Sequence, residues 1–132
     1  MGNVTITLHV NTANISPGNV NANCHFTDSN NDPTTANPED FQTNCDLNDV
    51  LTWEGVPTDS SLHDSVSITK IAYKSGTNLF GKSSLPGHNG TVTGTVDHGT
   101  GGDIQIYGIN FDVTRNGTTK SYRIDPKIRV NN

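Results

Sequence analysis

The sequence predicts an all-β protein: a single-domain antiparallel β-sandwich of about eight short strands, spanning residues 1–132. Asn and Thr supply about a quarter of the chain, and these residue types favour turns and strands over helices. No segment sustains an apolar period of about 3.6 residues, whereas turn signals recur about every ten residues. Both patterns are typical of a sandwich or a small barrel.

The composition limits the classes of partner that the chain can bind. A formal net charge of −5 and a pI near 5.3 argue against nucleic acid or an anionic membrane as a partner. No apolar stretch approaches the length of a membrane span, and the first residues lack the basic and apolar regions of a signal peptide. We therefore expect a cytoplasmic protein, with an extracellular or cell-surface location as the alternative for a trimmed chain.

The first strand is the clearest in the sequence, because apolar residues alternate strictly with polar ones. Four apolar residues share one face: Val4, Ile6, Leu8 and Val10. The longest strand, residues 103–114, changes the parity of its apolar residues, which predicts a β-bulge at Tyr107 and Gly108. Asn116-Gly117 predicts a tight hairpin into the last strand. That strand also carries four apolar residues on one face: Tyr122, Ile124, Ile128 and Val130.

A polar loop carries the sharpest motif for chemistry. A calcium loop needs oxygen ligands at its first, third, fifth and twelfth positions. Those positions are occupied by Asp28, Asn30, Asp32 and Glu39. Pro33 stands where an EF-hand has glycine, which excludes an EF-hand but leaves a looser oxygen-lined calcium site between strands as one hypothesis. The alternative is an Asx-rich loop whose side chains bond to their own backbone.

The two cysteines and the single tryptophan also leave alternatives open. In an oxidising compartment Cys24 and Cys45 would close a disulfide loop, and in a cytosol they would remain thiols. Trp53 is expected either to pack in the core or at a strand edge, or to serve as a platform for a ligand such as a sugar.

The sequence shows no arrangement suited to catalysis. It has no G-x-S-x-G elbow and no C-x-x-C pair, and its five histidines lack metal-ligand spacing. Cys24 directly precedes His25, but neighbours in an extended segment point to opposite faces, so the two cannot act together as nucleophile and base. We therefore expect that the protein is not an enzyme.

Four segments suggest a family. Residues 4–12 are an apolar alternation that ends in Asn-Thr, and residues 47–53 lead through Asn-Asp to a tryptophan. Residues 56–65 form a loop rich in Ser and Asp, and residues 122–130 contain Asp125-Pro126 within an apolar alternation. In this order they resemble the AidA/PixA family of bacterial inclusion-body proteins, with its GD-x-[IV]-x-[WF] strand and its closing strand [YW]-x-x-DP-x-I-x-V.

The resemblance implies a β-sandwich, accumulation in the cytoplasm, self-association into inclusions and no established catalytic site, with Asp125-Pro126 structural. Our leading hypothesis is accordingly a non-enzymatic protein whose partner is itself, and which forms oligomers or ordered inclusions. Its low content of charged residues, 16%, fits contact through many weak hydrogen bonds. The alternative is a calcium-dependent binding or adhesion module, with the four oxygen ligands above and carbohydrate as a further partner.

Overall fold

The computed structural model describes residues 2–76, 78–99 and 104–130. Three single-turn 3-10 helices lie between the strands, at Asn21–Asn23, Pro38–Asp40 and Ser60–Leu62. In the described ranges, no helix has the length and apolar character needed to cross a membrane. The strands are β1 (Asn3–Val10), β2 (Cys24–Asp28), β3 (Gln42–Cys45), β4 (Val50–Pro57), β5 (Ser65–Ser75), β6 (Ser84–Pro86), β7 (Val92–Thr95), β8 (Ile104–Arg115), β9 (Thr118–Ile124) and β10 (Lys127–Val130).

Two packed sheets confirm the predicted all-β sandwich. The first sheet has the strand order β2-β1-β4-β7, and the second has the order β3-β10-β8-β5-β6, with β9 also paired to β8. Most neighbours are antiparallel, but β1 runs parallel to β4 and β3 runs parallel to β10. The described ranges therefore hold ten strands in mixed sheets, where about eight antiparallel strands were predicted. Parallel pairing requires a long connection, and the chain that separates each of these two pairs supplies one.

The core lies between the two sheets and includes the predicted inner face of β1. The four apolar residues of β1 are each at most 3% exposed, as their alternation predicted. The predicted apolar face of the last strand is also buried, although the strand is divided into β9 and β10. Both sheets contribute the largest fully buried side chains: Trp53, Tyr107, Phe26, Phe41 and Phe111.

The hairpin predicted at Asn116-Gly117 joins β8 to β9. Asn116 and Gly117 have φ angles of 53° and 77°, and Arg115 pairs with Thr118 across the turn. Two consecutive positive φ angles identify the two-residue turn whose twist matches antiparallel strands. Asn and Gly are the residues that tolerate this conformation best, so the prediction from local sequence is confirmed.

The β-bulge predicted at Tyr107 and Gly108 is wrong. The odd-numbered residues of β8 face the core throughout, so Gln105 is buried while Ile104 is 43% exposed. The register shifts lie on the neighbouring strand β5 instead, between Ile68 and Lys70 and again before Ser75. Because the side chains of β8 alternate without interruption, Tyr107 stays inside the core. The same alternation exposes the apolar side chain of Ile104 and buries the side-chain amide of Gln105.

Candidate functional site

The loop that follows β2 is organised around a buried carboxyl group. Asp28 is 9% exposed, and its Oδ1 accepts hydrogen bonds from the backbone N–H groups of Asn30 and Asp32, each 3.0 Å long. Its Oδ2 accepts a hydrogen bond of 3.0 Å from the hydroxyl of Thr43, in β3. Both oxygens therefore hold neighbouring protein groups, as in the Asx-rich alternative. We call residues 28–32 the edge loop.

The edge loop caps the outer edge of β3. Asp32 accepts a hydrogen bond of 3.0 Å from the backbone N–H of Asn44 and one of 2.9 Å from the Asn44 side chain. The side-chain amide of Asn30 donates to the backbone carbonyl of Asn44, over 2.7 Å. Because β3 pairs with β10 along its other edge, these contacts satisfy backbone groups that would otherwise be available to another strand. The loop thereby ties the end of β2, in the first sheet, to β3 in the second.

The two aspartates of the edge loop are electrostatically coupled. Burial, followed by a hydrogen bond to Asp32, raises the pKa of Asp28. Burial would also raise the pKa of Asp32, but hydrogen bonds from Asp28 and Asn44 outweigh it and lower that pKa. The proton that the pair retains longest therefore lies on Asp28.

Glu39, the fourth residue of the calcium hypothesis, lies in a different environment. It belongs to the turn Pro38–Asp40, and its Oε2 accepts a hydrogen bond of 3.1 Å from the backbone N–H of Asp125. Within the described ranges, no three or more His, Cys, Asp or Glu side chains form a group that could hold a metal ion. The structure thus brings Asp28, Asn30 and Asp32 together and gives Glu39 another role; the calcium site stays a prediction.

The Asp125-Pro126 pair connects β9 to β10 opposite Tyr107 and Gly108 of β8. The backbone N–H of Tyr107 donates to the carbonyl of Pro126 over 3.2 Å, so the proline keeps its place in the ladder although it has no N–H of its own. The Asp125 carboxylate binds the side chains of Lys74 and Arg123. Burial opposes its ionisation, but hydrogen bonds from these two cations outweigh burial and lower the pKa of Asp125.

Asp125 determines part of the dependence of stability on pH. Because folding lowers its pKa, the ionised carboxylate stabilises the fold above the ordinary value of 3.8, and this contribution is lost as pH falls through the lowered folded value. Asp125→Asn should therefore lower the free energy of unfolding by less than about 1 kcal/mol near neutral pH, since the side chains of both cations are about half exposed. Chemical denaturation at several pH values should show that the free energy of unfolding falls less steeply with decreasing pH for this variant than for the parent.

Asp40→Asn is the matched control, because Asp40 is 64% exposed and makes only a loose contact of 3.7 Å with Lys127. In this variant, the free energy of unfolding should fall with decreasing pH as steeply as it does in the parent. An Asp125→Asn variant with that same slope would show that its carboxylate does not carry the effect.

The two cysteines are free, buried thiols in the structure. Cys24 begins β2 in the first sheet, and Cys45 ends β3 in the second. Burial raises the pKa of each thiol to about 12, so neither forms a reactive thiolate near neutral pH. The sequence left a disulfide and two free thiols as alternatives, and in the structure Cys24 and Cys45 are free thiols.

The ligand platform suggested for Trp53 is contradicted by its burial. Trp53 is 1% exposed, and its indole N–H donates to the hydroxyl of Tyr107 over 3.0 Å. The rings of Phe80 and Tyr107 pack against it edge to face. Strand parity places the tryptophan between the sheets, so no face of its ring can reach a sugar in solution.

An exposed strand edge is the feature that the sequence did not reveal. In an antiparallel ladder, every second residue of a strand forms backbone hydrogen bonds with the neighbouring strand. The hydrogen bond from Tyr107 N–H to the carbonyl of Pro126 shows that the even-numbered residues of β9 are the ones that bond to β8. The alternate residues of β9 turn their backbone N–H and C=O groups away from β8: Thr119, Ser121 and Arg123. All three residues are exposed, and within the described ranges nothing in the protein hydrogen-bonds to those outward groups. We call this the β9 edge.

The other sheet edges of the described chain are short or capped. The edge loop covers β3, and the hydroxyl of Thr34 donates to the carbonyl of Phe26 on β2 over 2.8 Å. β7 has four residues, and β6 has three and ends in Pro86, which offers no N–H. Short edges, prolines and covering loops are devices that prevent strands from pairing between molecules. β9, with seven residues, is the exception.

Comparison with known proteins supports the fold assignment. Residues 2–121 match the model of a family described as a domain of unknown function, DUF8788. No curated protein matches the sequence. A crystal structure of the inclusion body protein PixA from Burkholderia cenocepacia J2315 is similar, with a TM-score of 0.67, 9% identity, and coverage of 97% of this chain and 94% of that one. The resemblance to the AidA/PixA proteins is thus confirmed at the level of the fold.

Proposed function

The chain belongs to the DUF8788 family, and we propose that it is a non-enzymatic protein that associates with copies of itself through the β9 edge. A protein with a similar fold is an inclusion body protein, and we extend that character to this chain as part of the proposal. Accumulation in the cytoplasm belongs to the same proposal. The carrying observation is a contrast on one side of the second sheet, the side of β8 away from β5: β3 is capped there, whereas β9 is open.

An open strand edge is a template for another strand, because its unpaired backbone groups can form a ladder with a second chain. The β9 edge offers an N–H and a C=O at each outward residue over most of a seven-residue strand. Within the described ranges, every other edge would first have to lose a cap or would offer only three or four residues. The β9 edge is therefore the place where two copies can pair at the lowest cost.

The charges on β9 favour one register for this pairing. In an antiparallel pair centred on Ser121, Thr119 lies opposite Arg123 of the second copy, and Lys120 lies opposite Tyr122 of that copy. If the register between the two copies shifts in one direction, Lys120 of one copy lies opposite Lys120 of the other, and like charges in that position are destabilising. A shift in the other direction uses the N–H of Asp125, which Glu39 already accepts. The symmetric pair centred on Ser121 avoids both costs.

The solution mass over a concentration series tests this proposal. Ser121→Pro removes the outward N–H and leaves the ladder to β8 intact, since the N–H of Ser121 faces away from β8. We expect the mass of the parent to rise with concentration and the mass of Ser121→Pro to remain that of a monomer. Circular dichroism and the unfolding midpoint should confirm that the proline variant is folded.

Ser121→Ala is the matched control. It loses the hydrogen bond of 2.6 Å from the Ser121 hydroxyl to Asp112 but keeps the outward N–H, so it should associate like the parent. A parent that stays monomeric at all concentrations, or a folded proline variant that associates as well as the alanine variant, would contradict the proposal.

The same series, repeated with calcium and with a chelator, addresses the calcium hypothesis. We expect equal masses in both buffers, because the oxygens of Asp28 and Asp32 already hold protein donors. Association only in calcium would instead make the edge loop part of an interface.

A further inference from the structure

Two histidines lie side by side on the outer face of the first sheet. His9 of β1 and His25 of β2 are directly opposite each other in the antiparallel ladder. Because Leu8 and Val10 face the core, His9 must face outward, and the same parity applies to His25. Their rings stack with centroids 4.6 Å apart and planes within 4° of parallel, and both side chains are half-buried.

One ring is held in place by a hydroxyl group. Nε2 of His9 lies 2.9 Å from Oγ1 of Thr27, which is on the same outer face. When this nitrogen donates its proton to the hydroxyl, Nδ1 carries the free lone pair. Metal-binding histidines characteristically use one ring nitrogen for such an outer hydrogen bond and the other nitrogen for the ion. Thr27 therefore orients His9 as a ligand.

The electrostatic surroundings of the two histidines favour an added cation. Burial, followed by repulsion from His25, lowers the pKa of His9, while the carboxylate of Glu54 on β4 acts in the opposite direction. Glu54 is anchored on this face by the hydroxyl of Thr7, 3.0 Å away. The four strands of the first sheet contain no Lys or Arg, so no resident cation faces the pair from them.

We propose that His9 and His25 form a binding site for a divalent transition metal ion such as Zn²⁺ or Ni²⁺, to which each ring contributes one nitrogen. Zn–N bonds are about 2.0–2.1 Å long, so nitrogens about 3.3 Å apart can share one tetrahedral ion. Because the lone pair of each nitrogen lies in the plane of its ring, both rings must rotate out of the parallel stack for their nitrogens to bind one ion. Water completes the coordination, which makes this an exchangeable site on the protein surface. It lies on the sheet opposite the β9 edge and does not depend on pairing there.

Metal binding to the full chain tests the site, by calorimetric titration with Zn²⁺ or Ni²⁺ and by the unfolding midpoint with metal and after EDTA. We expect the metal to raise the midpoint of the parent and EDTA to reverse the rise. His25→Asn and His9→Asn should each weaken affinity by more than about tenfold, because one of two protein ligands is lost. Binding should also weaken as pH falls, since protons compete for the same nitrogens.

His63→Asn is the matched control. His63 is exposed and has a φ of 56°, a left-handed conformation that Asn tolerates well. The His63→Asn variant should bind metal as tightly as the parent. A parent whose midpoint does not respond to metal, or a His25→Asn variant that binds as tightly as His63→Asn, would overturn the proposal.

Discussion

Trp53→Ala should lower the free energy of unfolding by about 3–5 kcal/mol, the largest effect expected of a single substitution here. The indole is 1% exposed and packs against Phe80 and Tyr107 between the sheets. Truncation removes this packing, leaves a cavity and orphans the hydroxyl of Tyr107. Urea denaturation, followed by circular dichroism, measures the loss without relying on tryptophan fluorescence.

Tyr107→Phe isolates the hydrogen bond from the packing. It preserves the ring but leaves the Trp53 N–H buried without a partner, which should cost about 1–3 kcal/mol. The alanine variant should therefore be clearly the less stable of the two. A Trp53→Ala protein within about 1 kcal/mol of the parent would mean that the indole is not in the core, and would reopen its role as a ligand platform.

Asp28→Ala should cost about 3 kcal/mol and also release the edge of β3. The change orphans two backbone N–H groups of the edge loop and the hydroxyl of Thr43, which is fully buried. Without the loop held in place, Asp32 and Asn30 no longer cap Asn44. We therefore expect lower stability in urea together with aggregation at concentrations where the parent remains in solution.

Asp28→Asn is the milder comparison. Its amide oxygen can still accept hydrogen bonds from the backbone N–H groups of Asn30 and Asp32. It can no longer accept from Thr43 at the other position, so about 1 kcal/mol should be lost. Equal stability of the alanine variant, the asparagine variant and the parent would show that the loop does not stabilise the fold.

Local patterns were sufficient for several elements of this fold. The inner face of β1 follows from the alternation of its residues, because successive side chains of a strand point to opposite faces. The Asn116-Gly117 hairpin follows from turn chemistry, because few other residues accept two successive positive φ angles. The order of the four family-like segments also led to the correct fold. The first two signals are each contained within a few consecutive residues, whereas the third depends on the order of short segments along the chain.

The tertiary structure alone decided how those elements meet. The parallel pairings, the inward orientation of Tyr107 and the stacking of His9 on His25 join residues that are distant in the chain. The sequence predicted Asp28, Asn30 and Asp32 as oxygen ligands, and that assignment stays a prediction. It did not predict that their side chains form hydrogen bonds with Thr43 and Asn44. The alternation of apolar residues and the residue types of a turn reflect the conformational preferences of neighbouring residues. Which strands pair depends instead on the free energy of the whole packed core.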